Sequence, residues 1–102
     1  MAANHLEIYT IDVPGAGTAV RVKNTTRKVL KIWAKGAEGN VGANVYIGDS
    51  SVSATASGWS IPNIVDAKPL HLKLAEAPPT QDWFYVDVDT SGDDVEVFFL
   101  LA

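Results

Sequence analysis

Apolar and polar residues alternate with a period of two through most of this chain, the spacing of β-strands whose two faces meet different surroundings. In "HLEIYTIDV" (5–13), Leu6 and Ile8 share one face, and the apolar phase then shifts to Ile11 and Val13. Pro14-Gly15-Ala16-Gly17 ends that segment, because proline lacks a ladder donor and glycine favours a turn. "TAVRVKN" (18–24) sets Val20 and Val22 inward and Arg21 and Lys23 outward, before a turn at Asn24-Thr25-Thr26. "RKVLKIWAK" (27–35) sets Leu30, Ile32 and Ala34 inward and Lys31, Trp33 and Lys35 outward. A glycine-bearing loop (36–42) leads to "ANVYIG" (43–48), with Val45 and Ile47 inward and Tyr46 outward.

Residues 50–60 are small and polar around Gly58-Trp59 and read as a loop with room for one short strand. A connector bounded by Pro62 and Pro69 follows. "LHLKL" (70–74) turns Leu70, Leu72 and Leu74 inward and His71 and Lys73 outward. Pro78-Pro79-Thr80-Gln81-Asp82 is a stiff turn. In "WFYVDVD" (83–89), Phe84, Val86 and Val88 oppose Trp83, Tyr85, Asp87 and Asp89. Thr90-Ser91-Gly92-Asp93 reads as a hairpin turn into "DVEVFFLL" (94–101).

No segment carries a helical period. The pattern predicts one all-β domain over residues 1–102, an antiparallel β-sandwich or jelly-roll-like fold of about seven to eight strands. Its predicted core contains Val20, Val22, Leu30, Ile32, Val45, Ile47, Leu70, Leu72, Leu74, Phe84, Val86, Val97 and Phe99. The last strand departs from simple alternation. Val95, Val97, Phe99 and Leu101 make one face apolar, and Phe98 and Leu100 make the other apolar too. A strand apolar on both faces is normally covered on both, so a second subunit is expected over Phe98 and Leu100, with Trp83 and Tyr85 of the preceding strand beside them.

Composition narrows the function. Hydrophobic residues are 47% of the chain, too many for a disordered one. There is no cysteine, which removes disulfides and thiolate metal sites. No secretion-signal pattern opens residues 1–20, and no apolar run approaches the roughly 20 residues of a membrane span, so synthesis in the cytoplasm and no membrane partner are expected. A net charge of −4 disfavours nucleic acid. The charge is uneven. Six of the eight basic residues lie between Arg21 and Lys35, and six of the twelve acids between Asp82 and Glu96. Arg21, Lys23, Lys31 and Lys35 against Asp87, Asp89 and Glu96 form a candidate charged rim, either solvated or meeting its opposite across subunits.

Catalysis is not expected. Gly48-Asp49-Ser50 resembles a nucleophile turn only in outline. The flanking glycines and following helix of such an elbow are missing. The two histidines are His5, in an N-terminal stretch expected to be mobile, and His71, outward on a strand. A strand-ending turn in which Asp49 or Ser50 bonds the backbone explains the motif. Asp87, Asp89, Asp93 and Asp94 fit no EF-hand spacing and read as turn residues. "PGAG" precedes no helix that would hold a phosphate. No cofactor or metal is expected. Trp33, Tyr46, Trp83 and Tyr85, with Phe98 and Leu100, are the candidate interface residues. Aromatics on a β face serve protein interfaces or sugar rings.

From Asn44 to Leu101, "NVYIGDSSVS", a glycine-bearing loop, "PLHLKL" and "WFYVDVDTSGDDVEVFFL" follow one another. This stretch resembles small β-rich structural proteins of tailed-phage virions. Those often carry a strand ending Val-Tyr-Val/Ile-Gly-Asp, a Ser/Val/Ser segment, a leucine-alternating strand and a final aromatic-aliphatic pair of strands. The connector departs from them, with Pro62 to Pro69 in place of the commoner Pro-Gly-Glu turn. The resemblance implies a virion structural protein on the capsid surface. The form it implies is a capsid decoration (cement) protein that bridges major capsid protein subunits, and head fibre and tail accessory protein are the related roles. It implies a homo-oligomer, for which three-fold closure is expected, and no catalysis. The alternative is a carbohydrate-binding or tail accessory module using the exposed Trp and Tyr residues.

Overall fold

The computed structural model describes residues 4–54, 58–64, 68–74 and 79–102. Its strands are β1 (His5–Asp12), β2 (Val20–Arg21), β3 (Val29–Gly36), β4 (Asn44–Gly48), β5 (Trp59–Pro62), β6 (Leu70–Leu72), β7 (Tyr85–Val88) and β8 (Asp94–Leu101). They form two four-stranded antiparallel sheets, β1-β8-β3-β6 and β2-β7-β4-β5. Only β4 and β5 are both consecutive and paired. Every other connection crosses from one sheet to the other. That strand order is the one of an eight-stranded jelly roll. The one helical piece among the described residues is a 3₁₀ turn, Gln81–Trp83.

The core lies between the sheets. From the first come Val29, Ile32, Ala34, Leu72, Val95, Val97, Phe99 and Leu101; from the second come Val45, Ile47, Ile61, Val86 and Val88. Phe84, leading into β7, lies 5.6 Å from Phe99 of β8 between ring centroids, so this aromatic contact ties the two sheets together. Val22 is buried, and Val20 and Leu74 pack against the core while half-buried.

Three local expectations are corrected. Leu30 is 37% exposed, because the β3–β8 register slips between Val29 and Lys31. This bulge inserts one residue and makes Val29, rather than Leu30, the inward side chain. Leu70 is 49% exposed although it sits opposite buried Ala34, because β6 is a three-residue edge strand at the margin of the core. The strand 5–12 has no phase shift. Tyr9, Ile11 and Val13 pack inward in one unbroken alternation, leaving Leu6 and Ile8 outside at 57% and 56% exposure.

Two larger expectations also change. Residues 90–93 do form a turn, with the Asp93 N–H donating to the Thr90 carbonyl at 3.1 Å. The strands it joins lie in different sheets, so it is an arch and not a hairpin. His5 begins β1, opposite Leu101, instead of lying in a mobile stretch. Pro78 of the stiff turn, residues 55–57 of the polar loop and residues 65–67 of the connector lie outside the described residues.

Candidate interaction surface

The outer face of the first sheet carries a cluster of large apolar side chains that the core does not use. Antiparallel register stacks them in rows. Ile8 pairs with Phe98, Phe98 with Trp33, and Trp33 with His71, so one row crosses all four strands. In the next row, Leu6 pairs with Leu100 and Leu100 with Lys31. On the other side, Thr10 pairs with Glu96 and Glu96 with Lys35. Five apolar side chains therefore lie in adjacent positions on one face, bounded by Lys31, Lys35, Glu96 and His71. The His71 ring lies 5.3 Å from Trp33, tilted by 34°. Leu6, Trp33, Pro69 and Phe98 line an open depression of about 360 Å³ on this face. Lys35 and Glu96 form an ion pair at 3.7 Å within the chain, which engages two residues of the expected intersubunit rim.

The other predicted interface residues do not join this face. Trp83 and Tyr85 belong to the 3₁₀ turn and to β7 of the second sheet. Trp83 is 41% exposed and meets Phe84 edge-on at 5.0 Å. Tyr85 is half-buried with Arg21 over its ring at 5.1 Å. Lys23 lies over Tyr9 at 5.3 Å. Tyr46, expected outward, leaves the sheet on its outer side but is only 7% exposed, and its hydroxyl donates to Asp89 at 2.6 Å. Leu6 and Ile8, which sequence patterning placed on one shared face but not among the interface residues, are the missed members of the apolar face. The signal that could have found them is the alternation of Glu7, Tyr9, Ile11 and Val13, which already fills the inner face.

The chain matches no known protein family, curated protein or solved structure.

The acidic run staples loops. Asp87, expected on the rim, is 1% exposed and accepts hydrogen bonds from the Gly17 and Val88 N–H groups at 3.0 and 2.8 Å. Asp89 is exposed and accepts from the Asn44 backbone and side chain. The Tyr46 hydroxyl does most to hold the Asp89 carboxyl below its ordinary pKa. Asp93, 5% exposed, accepts from Val41 and Gly42 N–H at 3.0 and 2.8 Å. A Cβ at Gly42 would stand 2.8 Å from Thr90 Oγ1 and 3.0 Å from Asp93 Oδ2, so a larger residue here would force those side chains to shift. Asp93→Ala removes both charge-assisted bonds and is expected to cost about 2–4 kcal/mol, read as a lower urea midpoint, with Asp93→Asn intermediate.

Next to Asp93 in the chain, Asp94 sits directly opposite Asp12. Desolvation, and then its hydrogen bond to the Asp12 carboxyl, raise the Asp94 pKa. A raised folded-state pKa stabilises below the unfolded value and is lost as pH rises through the folded one. The pair thus favours the fold in acid and opposes it at neutral pH. Asp12→Asn is expected to gain about 0.2–1 kcal/mol at pH 7, the size of a cross-strand pair. Paired urea titrations should show the gain disappear near pH 3.

Gly48-Asp49-Ser50 ends β4 in a turn. The Val52 N–H donates to the Asp49 carbonyl at 3.0 Å, and Asp49 Oδ1 accepts from the Ser51 N–H and hydroxyl at 2.9 and 2.6 Å. These bonds lower the Asp49 pKa, the Ser51 hydroxyl first. Beside the turn, Gly48, Asp49, Gly58, Trp59 and Trp83 line a depression of about 270 Å³. Trp59 is a residue that sequence reasoning left unassigned.

Proposed function

We propose that this protein is a structural component of a tailed-phage virion, a decoration protein made in the host cytoplasm and bound to the capsid surface through the outer face of its first sheet. The observation that carries the reading is the contiguous apolar strip of Leu6, Ile8, Trp33, Phe98 and Leu100, two of whose members are more than half exposed. Apolar patches rimmed by polar residues mark interaction sites, and burying each large side chain fully gains roughly 1.5–3 kcal/mol. The partner is the major capsid protein, and the role is mechanical. A rigid sandwich bridging neighbouring shell subunits gains by simultaneous engagement what each contact lacks. No catalytic step is proposed. Jelly rolls serve viral shells and lectins alike, so the fold supports this reading only by analogy.

Co-sedimentation with shells assembled from the major capsid protein of the same genome tests it. The wild type should pellet with shells, and Phe98→Glu should stay in the supernatant while folded. Equal pelleting of both, or of neither, overturns the reading.

A second reading, a saccharide-binding module, is favoured by the two indoles and one carboxylate around the smaller depression. Small-molecule pockets begin at roughly 300 Å³, so one sugar ring is the scale that fits. Saccharide-dependent quenching of tryptophan emission, lost in Trp83→Ala, would support it.

A further inference from the structure

We propose that two copies of this chain pair through the open edge of β1, in antiparallel register about a two-fold axis at Ile8, joining their first sheets into one eight-stranded sheet. This inference stands on the backbone of β1 and not on the capsid reading.

The two sheets have four edge strands, β1, β6, β2 and β5. Three are guarded in the ways natural sheets guard edges. β2 has two residues, β6 has three, and β5 ends in Pro62. β1 has eight residues and contains neither proline, lysine nor a bulge.

Its free hydrogen-bonding groups can be identified. The Val13 N–H donates to the Asp93 carbonyl at 3.2 Å and the Val13 carbonyl accepts from Gly92 at 2.9 Å, so Val13 faces the β8 side. On β8 the Asp94 carbonyl accepts from Ala37, which turns Asp94, Glu96, Phe98 and Leu100 toward β3 and Val95, Val97, Phe99 and Leu101 toward β1. Both observations give one parity. The backbone groups of His5, Glu7, Tyr9 and Ile11 bond β8, and those of Leu6, Ile8, Thr10 and Asp12 point to the open edge. Among the described residues, no hydrogen bond reaches those four outward pairs.

Parity and facing select the register. Directly opposed residues share a face, so a two-fold axis must pass through a residue, not between two. An axis at Glu7 sets two carboxylates against each other, and an axis at Tyr9 sets Leu6 against Asp12. An axis at Ile8 pairs Ile8 with itself, Leu6 with Thr10, Glu7 with Tyr9 and His5 with Ile11. The outer apolar faces then run continuously across the joint. Glu7 is the inward charge that might guard this edge, but it is already satisfied in its own chain. The Tyr9 hydroxyl donates to it, and Gln81 Nε2 lies 3.0 Å and His5 Nε2 2.9 Å away.

Sedimentation equilibrium and crosslinking test the pairing on the full chain. The wild type should have twice the chain mass. Thr10→Pro loses only an outward N–H and Ile8→Lys sets like charges face to face. Each should raise the dissociation constant about tenfold or more, with an unchanged circular dichroism spectrum. Phe98→Glu, off the edge, should remain dimeric. Because the chain has no cysteine, Ile8→Cys introduces a single thiol, which should link to its own copy through a short bis-thiol reagent. Asp12→Cys should not link, because the two thiols would be roughly 27 Å apart along the strands. A monomeric wild type overturns the proposal, as does a dimer insensitive to Ile8→Lys and Thr10→Pro, crosslinking at 12 as fast as at 8, or a foreign chain on the edge.

Discussion

Phe99→Ala is expected to lower the melting midpoint by tens of degrees. Phe99 is fully buried in β8, 6.0 Å from Tyr9 and 5.6 Å from Phe84 between centroids, so it is packed against its own sheet's edge strand and the opposite sheet at once. Truncating a buried phenylalanine costs about 3–5 kcal/mol, transfer and cavity terms together. Domains of this size hold about 5–15 kcal/mol in all, and each kcal/mol moves the melting midpoint by about 4–8 °C. The midpoint should therefore fall by tens of degrees, read by circular dichroism. Phe84→Ala should fall as far, and the double variant by less than the sum, because each single change already opens the same contact. A drop of a few degrees for Phe99→Ala would show that the sheets are held together elsewhere.

The adjacent residue should behave in the opposite way. Phe98→Glu is expected to fold normally and lose shell binding. Its side chain leaves β8 on the outer face between Ile8 and Trp33 and is half-buried. Glutamate there keeps the strand's backbone bonds and meets water, so the melting midpoint should move little. At a docked face the same carboxylate would be buried without a partner. Aromatic anchors near an interface centre are worth at least about 2 kcal/mol when truncated, so shell affinity should drop about thirtyfold or more. Patterning alone would have this variant dissociate the oligomer. With the subunits joined at the β1 edge, the dimer should survive while shell binding fails. Isothermal titration with assembled shells, beside sedimentation of the free protein, separates the two.

The strand positions and most inward faces were legible in the sequence, because side-chain direction alternates with every residue whatever the neighbour. Val45 and Ile47, Val86 and Val88, and Val97 and Phe99 are buried as the pattern requires. The same local rule marked "VFFLL" as apolar on both sides and Gly48-Asp49-Ser50 as a turn held by Asp49. What alternation cannot encode is which strand lies alongside which. The tight turn at Gly92 suggested a hairpin, yet β7 pairs β2 and β4 while β8 pairs β1 and β3, so Trp83 and Tyr85 part company with Phe98 and Leu100. Leu30 turned outward because of a bulge whose cause lies in its pairing with β8. Asp87 looked like part of a charged rim and Asp93 like a simple turn residue until the Gly17 and Gly42 loops came across from 70 and 51 residues away to donate to them. Tyr46 followed its alternation out of the sheet and was still buried, with its hydroxyl on Asp89. Local sequence determined the strands and their faces because both follow from backbone geometry one residue at a time. Partners, edges and the burial of polar groups were decided only in the folded chain, because they depend on contacts between segments far apart along it.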